Sequence, residues 1–255
     1  MSSLGDIITE RSGSILDVAF NRPTKKNAMT MSMYAAFADL LNDAVTDEAI
    51  RVVLVHGTGD SFTAGNDLGD FLKNPPGPAD SPQQRLIDAL INFDKPLVAA
   101  VHGAAVGSGT TMLTHFDFVY VGESAKFQMP FVNLALVPEF GASYSVPAQS
   151  GYVAAAELIL LGSPFDAKRA LELGFVTRVV PDQTVLAMAR ETAEKLAQKP
   201  AGALVASKKL LKRSFREQLA AAAKAESREF ASRVRSAEAK EAFTAFFDKH
   251  RSETR

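Results

Sequence analysis

Residues 97–121, LVAAVHGAAVGSGTTMLTHFDFVYV, hold two apolar runs joined by a glycine-bearing turn and a short helical stretch. The runs 97–101 and 118–121 are short and apolar throughout, which reads as strands buried on both faces. A strand, a crossover with a helix and a second strand predict parallel pairing with a right-handed connection. The same order continues outward. Upstream, Met33, Phe37, Leu40, Leu41 and Ala44 recur at helical spacing between Thr30 and Asp47, ahead of the buried run 52–55. Before them, residues 7–20 read as two strands around Ser12-Gly13-Ser14, ended by Asn21-Arg22-Pro23. The Pro-, Gly- and Asp-rich segment from Lys73 to Pro82 is expected to be a mobile loop, followed by a helix with Leu86 and Leu90 on one face.

After Tyr152 the pattern turns helical. It predicts helices over 154–161, from an N-cap at Asp166 to near Gly174, and over 185–198, with a break at Lys199-Pro200. Residues 201–250 are rich in Ala, Lys, Glu and Arg, with Leu210, Leu211, Phe215, Leu219, Phe230, Phe243, Phe246 and Phe247 scattered among them. That is too little apolar surface for a separate core. The chain therefore divides into a core over 1–200 that carries the ligand site and a helical region over 201–255. The helical region is expected to pack on the core or on a neighbouring subunit, the second use being preferred.

Bulk composition narrows the function classes. The 255 residues are 47% hydrophobic, enough for a sizeable core. With 28 basic and 29 acidic residues the formal net charge is −1, so no global basic field attracts nucleic acid or an anionic membrane. No run approaches the roughly 18 to 20 apolar residues of a membrane span, and MSSLGDIITERSG lacks a basic region followed by an apolar one. A cytoplasmic protein with no membrane or nucleic-acid partner is expected. The terminal SETR is not a peroxisomal address of the SKL type. Zero cysteines exclude disulfides, thiolate nucleophiles and Cys-ligated zinc. His56, His102, His115 and His250 show no ligand spacing, so no metal is expected.

Two glycine-bearing loops follow buried strands: SFTAGNDLGDF over 61–71 and HGAAVGSGT over 102–110. Glycine permits unusual dihedrals and lets a ligand approach the backbone, and a helix beginning just beyond adds its positive end. Converging N–H groups of this kind form an oxyanion hole, in which loss of one donor costs about 3 to 4 kcal/mol of transition-state stabilisation. The alternative is a pair of tight strand-to-helix turns with no ligand. The run GAAVGSG lacks the GxGxxG spacing of a dinucleotide site, and Ser108 is not in GxSxG.

The runs NRPTKKNAM (21–29), SFTAGNDL (61–68), KPLVAAVHGAAVGSG (95–109), FDFVYVGESAKFQMPFVNLALVPEFGASYSVP (116–147) and SPFDAKRALELGFVTRVVP (163–181) resemble, in order, the signatures of the crotonase (enoyl-CoA hydratase/isomerase) superfamily. The resemblance implies an α/β fold, a spiral of repeated ββα units, assembled as a homotrimer or hexamer. It also implies an acyl-CoA thioester as substrate, with coenzyme A part of that substrate and no separate cofactor. The oxyanion donors would be the N–H groups of Asn66 and Ser108, within a substrate-binding set of Lys25, Ala64, Gly65, Asn66, Asp67, Leu68, Gly107 and Ser108.

The pattern departs from that of the hydratases. Thr111 and Phe131 stand where hydratases carry their two glutamates, and hydration needs an activated water and a proton donor. Glu139, in VPEFG, together with GNDL, matches the Δ3,Δ2-enoyl-CoA isomerases of the peroxisomal type. One base then suffices: it takes a proton from C2 and returns it at C4 of a dienolate. Read from the residues alone, Glu139 is a solvated turn residue or a carboxylate at a helix N-terminus before it is a base. Asp67 reads as a helix cap, Lys25 and Lys26 as a solvated cluster or phosphate contacts, and Leu68 and Phe71 as core or acyl-tunnel lining. Two further readings stand beside isomerisation. One is a hydratase or other lyase on an acyl-CoA that recruits Glu139 or Glu123, and the other is a non-catalytic acyl-CoA binder.

Overall fold

Gly13, at φ +60°, turns the chain between β2 (Ile7–Ser12) and β3 (Ile15–Phe20), and a short β1 (Ser2–Leu4) pairs antiparallel with β2. These strands open a computed structural model that describes residues 2–75, 77 and 81–253. The 73–82 loop lies partly outside the described residues, as does the side chain of His250. Helix α1 (Met31–Thr46) starts at Thr30, whose side chain accepts from the Met33 N–H, and buries Met33, Tyr34, Phe37, Leu41 and Ala44 on one face. Strand β4 (Val52–Gly57) is followed by α2 (Leu68–Lys73) and α3 (Pro82–Asn92), then β5 (Leu97–Val101). A three-residue β6 (Ala104–Val106) precedes α4 (Ser108–Thr111), which runs into a 3-10 turn over Met112–His115. Next come β7 (Phe118–Gly122), β8 (Lys126–Gln128), α5 (Ala142–Ser150) and α6 (Tyr152–Ala156), which continues as a π turn over Glu157–Leu161. Strand β9 (Phe165–Asp166), α7 (Ala167–Glu172), β10 (Arg178–Val180) and α8 (Val185–Ala197) complete the core.

The large sheet has the order β1-β2-β3-β4-β5-β7-β10, parallel from β3 onward. Both faces are covered. Val52, Leu54, Val98 and Ala100 pack on Val185, Ala189 and Ala193 of α8, while Val53, Val55 and Ala99 face the main core. That is why these strands read as unbroken apolar runs. A second sheet, β6-β8-β9, is extended by isolated parallel bridges between Met29 and Asn66 and between Thr63 and Ala105. Each turn of the chain thus lays one strand in the large sheet, one short segment in the second, and then a helix. After β3 comes Met29, after β4 comes Thr63, after β5 comes β6, and after β7 comes β8. This is the expected ββα spiral.

Several elements differ from expectation. Helix begins at Ala142, not after Tyr152, and α5 accommodates Pro147 in its interior. Strands β6, β8, β9 and β10 have two or three residues each, too few to show a period. The tail forms α9 (Ala201–Lys212), α10 (Arg216–Arg233) and α11 (Ala237–Glu253). Helix α10 packs on α3 and α5 of its own chain and buries Leu219, Ala223 and Phe230. Burying one such Leu or Phe contributes about 1.5–3 kcal/mol. Helix α10 thus takes the first of the two expected uses, packing on the core of its own chain. Leu210 and Leu211 on α9 stay 68% and 74% exposed. Among the described residues no helix is long and apolar enough to cross a membrane.

Candidate active site

The two glycine-bearing loops cross in contact. Gly65 has φ +81°, and a Cβ there would fall 2.3 Å from the Val106 carbonyl oxygen and 3.5 Å from the Ser108 nitrogen. Only glycine fits this crossing. In the bridge with Met29, the Gly65 carbonyl accepts from Met29 at 2.7 Å and the Asp67 N–H donates to Met29 at 2.9 Å. Backbone groups alternate along an extended segment, so the Asn66 N–H points away from Met29. Ser108 is the first residue of α4, where an N–H has no acceptor within the helix. Gly107, at φ 55° and ψ −119°, turns the chain into that position.

Glu139 lies behind this pair, 3% exposed. Its Oε1 accepts from Asn66 Nδ2 at 3.0 Å and its Oε2 accepts from Gln83 Nε2 on α3. Asn66 Oδ1 accepts in turn from the Tyr34 hydroxyl, and Tyr34 is within 2.8 Å of Ser108 Oγ. Burial pushes Glu139 up to about 8, although both amides hold its ionised form and pull the other way. Burial and the Glu139 charge keep Tyr34 well above its ordinary value, so it stays a neutral hydrogen-bond donor. The Asn66 side chain is thus fixed at both ends, between a phenol and the carboxylate.

In front of the loops is a cavity of about 510 Å³. Lys25 and Lys26 stand on its wall with Ala64, Asn66, Asp67, Leu68 and Gly107, and Phe131, Leu134 and Leu136 face them. Phe246 and Phe247 of α11 complete the lining. Gly65, Ser108 and Glu139 are not on this wall: Gly65 lies against Val106, Ser108 is fully buried, and Glu139 reaches the wall through its bond to Asn66. Asp67 caps α2 by accepting from the Asp70 N–H and pairs with Arg22 at 3.0 Å, so its role is to hold the loop. Phe71 is core, edge-on to Phe230, and does not line the cavity. Thr111 is buried with its hydroxyl on the Gly107 carbonyl, and Phe131 is 3% exposed, so neither hydratase position offers a carboxylate. Glu123 is exposed at the end of β7, away from the cavity lining.

Tyr34 and Gln83 were not legible as site residues. Tyr34 sits in the apolar stripe of α1 and reads as core, while Gln83 follows Pro82 at the start of α3, where a polar residue reads as solvated. Among the described residues no group of three or more His, Asp or Glu side chains is arranged to hold a metal.

A family model described as enoyl-CoA hydratase/isomerase matches residues 10–254. Rat (Rattus norvegicus) enoyl-CoA delta isomerase 2 is 35% identical over 223 residues, 85% of this chain and 56% of that protein. The chain thus spans little more than half the length of the first curated relatives it matches. A probable enoyl-CoA hydratase of Bacillus subtilis is 31% identical over 88% of this chain and 89% of its own. The crystal structure of an enoyl-CoA hydratase/isomerase from Pseudoalteromonas atlantica superposes with a TM-score of 0.91 at 39% identity, covering 96% of this chain and 98% of that one.

Proposed function

The chain belongs to the enoyl-CoA hydratase/isomerase family, and from that premise we propose that it moves the double bond of a 3-enoyl-CoA to position 2, with Glu139 as the only base. The observation that carries this reading is the bond from Asn66 Nδ2 to Glu139 Oε1, which joins a buried carboxylate to an oxyanion loop. The thioester oxygen sits between the N–H groups of Asn66 and Ser108. Ionised Glu139 takes a proton from C2, and the charge that spreads onto the oxygen is held by those two donors. Protonated Glu139 then delivers the proton to C4. A base raised to about 8 is stronger than a solvated carboxylate, which suits a weakly acidic C–H. The amides of Asn66 and Gln83 keep its ionised form accessible inside the apolar site. Lys25 and Lys26 on the cavity wall suit the phosphates of coenzyme A.

The second reading is a hydratase or another lyase on an acyl-CoA, favoured by the relative described as a probable hydratase. It must manage with Glu139 alone, because Thr111 and Phe131 cannot move a proton and Glu123 is exposed at the end of β7, whereas Glu139 is buried and bonded to Asn66. Incubation with a 3-enoyl-CoA and separately with a 2-enoyl-CoA decides. Conversion of the first to the second supports isomerisation. Water addition to the 2-enoyl-CoA without any double-bond shift overturns it, and binding with no turnover of either leaves an acyl-CoA binder.

A further inference from the structure

Helix α10 belongs to the tail, yet one of its side chains reaches the turn that carries Glu139. Glu226 is 6% exposed and forms no ion pair among the described residues. Its carboxylate accepts instead from the N–H of Gly141 at 2.7 Å and of Ser143 at 2.6 Å, with the Ala142 N–H and the Ser143 hydroxyl also directed at it. Those N–H groups converge because Phe140 and Gly141 are both left-handed, at φ +64° and +71°. Successive backbone N–H groups at such a turn form an anion-binding concavity. Here a side chain of the same protein fills it.

A left-handed phenylalanine is disfavoured and must be held. It is held on both sides. His115, which burial pulls down to about 4 and so keeps neutral, donates from Nε2 to the Phe140 carbonyl at 2.7 Å. Glu226 takes the N–H of the next residue. Glu139 directly precedes Phe140. On its other flank α10 meets α3, where the Ser227 hydroxyl donates to Gln84 Oε1, beside the Gln83 that bonds Glu139. The charged and titratable groups around the turn are Glu139 on it, Glu226 itself, which burial raises to about 7, Tyr34 on α1 beside Glu139, His115 behind Phe140, and Lys212 and Lys208 beyond His115.

We propose that Glu226 is a positioning residue: seated in the backbone concavity that follows Glu139, it fixes the direction from which Glu139 meets the substrate and ties turnover to helix α10. The proposal rests on Glu139 being the base. Glu226 charge is also among the causes that raise Glu139, after burial.

The test uses the full chain with three variants, Glu226→Gln, Glu226→Asp and Glu139→Gln, assayed for isomerisation of a 3-enoyl-CoA across pH, with binding of a saturated acyl-CoA measured alongside. Glu226→Gln should lower kcat by about 10- to 100-fold, the scale of a displaced catalytic group, and leave acyl-CoA affinity unchanged. It should also move the acidic limb of the kcat profile to lower pH, because a negative charge near Glu139 is gone. Glu226→Asp keeps the charge and shortens the reach, so kcat should fall with the limb in place. A folded Glu226→Gln enzyme with wild-type kcat and limb, beside an inactive Glu139→Gln, overturns the positioning role and leaves the base assignment standing. If Glu139→Gln is as active as the wild type, the base assignment itself fails. Should Glu226→Gln not fold, wild-type kcat in Glu226→Asp overturns the proposal in its place.

Discussion

Glu139 titrates far from an ordinary carboxyl, and both activity and stability should register it. Activity needs the ionised form, so kcat/KM should rise with pH through about 8. Glu139→Gln keeps the shape and removes the basic oxygen. Turnover of a 3-enoyl-CoA should then fall by about 100-fold or more, with acyl-CoA affinity little changed, and near-normal turnover would eliminate the assignment. Stability runs in the opposite direction. The folded chain holds the Glu139 proton up to about 8 and the unfolded chain only to about 4.5, so this group stabilises fully below the lower value and its contribution is lost as pH rises through the upper. The inactive Glu139→Gln should therefore melt higher than the wild type above pH 8 and lose that advantage near pH 4.5, which thermal melts at the two values check. Ser108 separates main chain from side chain. Ser108→Ala loses the hydroxyl's contacts with Tyr34 and, at 3.4 Å, with Asn66 Oδ1 and should keep much of its activity, while Ser108→Pro removes the N–H and should abolish turnover. Equal inactivity of two folded variants would shift the role to the hydroxyl. Glu139, Asn66 and Ser108 were singled out because motif and glycine context mark them, and the structure joins them through Asn66, which bonds Glu139 and, by way of Tyr34, reaches Ser108. Their supports were not: Tyr34 and Glu226 lie within helical stripes, where only the partner across space shows what they do.

Elements with a strong period or an unbroken apolar run were readable, since α1, β4, β5, β7 and α8 each bury a face that the sequence repeats. What escaped depends on contacts distant in the chain. Helix α5 starts where Glu226 takes up its first N–H groups, and the short strands exist only as neighbours of one another. The two glycine loops also differ, which gives a contrast to measure. At Gly65 an added methyl meets the Val106 carbonyl at 2.3 Å under a φ of +81°, whereas at Gly107 nothing lies within 4 Å and only the φ of +55° is adverse. Gly65→Ala should destabilise by several kcal/mol or prevent folding, and Gly107→Ala by about 1 to 3 kcal/mol. Denaturant unfolding of both variants checks the order, and equal losses would mean that the loops do not cross as described.

At the scale of the molecule, several large apolar side chains remain uncovered. Tyr152 and Val153 on α6, Leu160 and Leu161 on its π extension, and Leu210 and Leu211 on α9 are each more than half exposed. Apolar side chains in such number on the outside suit contact with further copies of the chain, and we propose the homotrimer as the basic assembly. Sedimentation should give three chains or a multiple of three, and a stable monomer would overturn it. Composition marked off the helical region over 201–255, but it could not show that α10 reaches the turn that follows Glu139. The consequence is one of time. Asn66 and Glu139 are 73 positions apart, and Gly141 and Glu226 are 85 apart. A ribosome therefore releases the two glycine loops and Glu139 well before Glu226. If Glu226 positions Glu139 as proposed, the newborn core is an incomplete catalyst until α10 arrives. In refolding from denaturant, turnover should likewise return later than the helical signal, because these long loops close last.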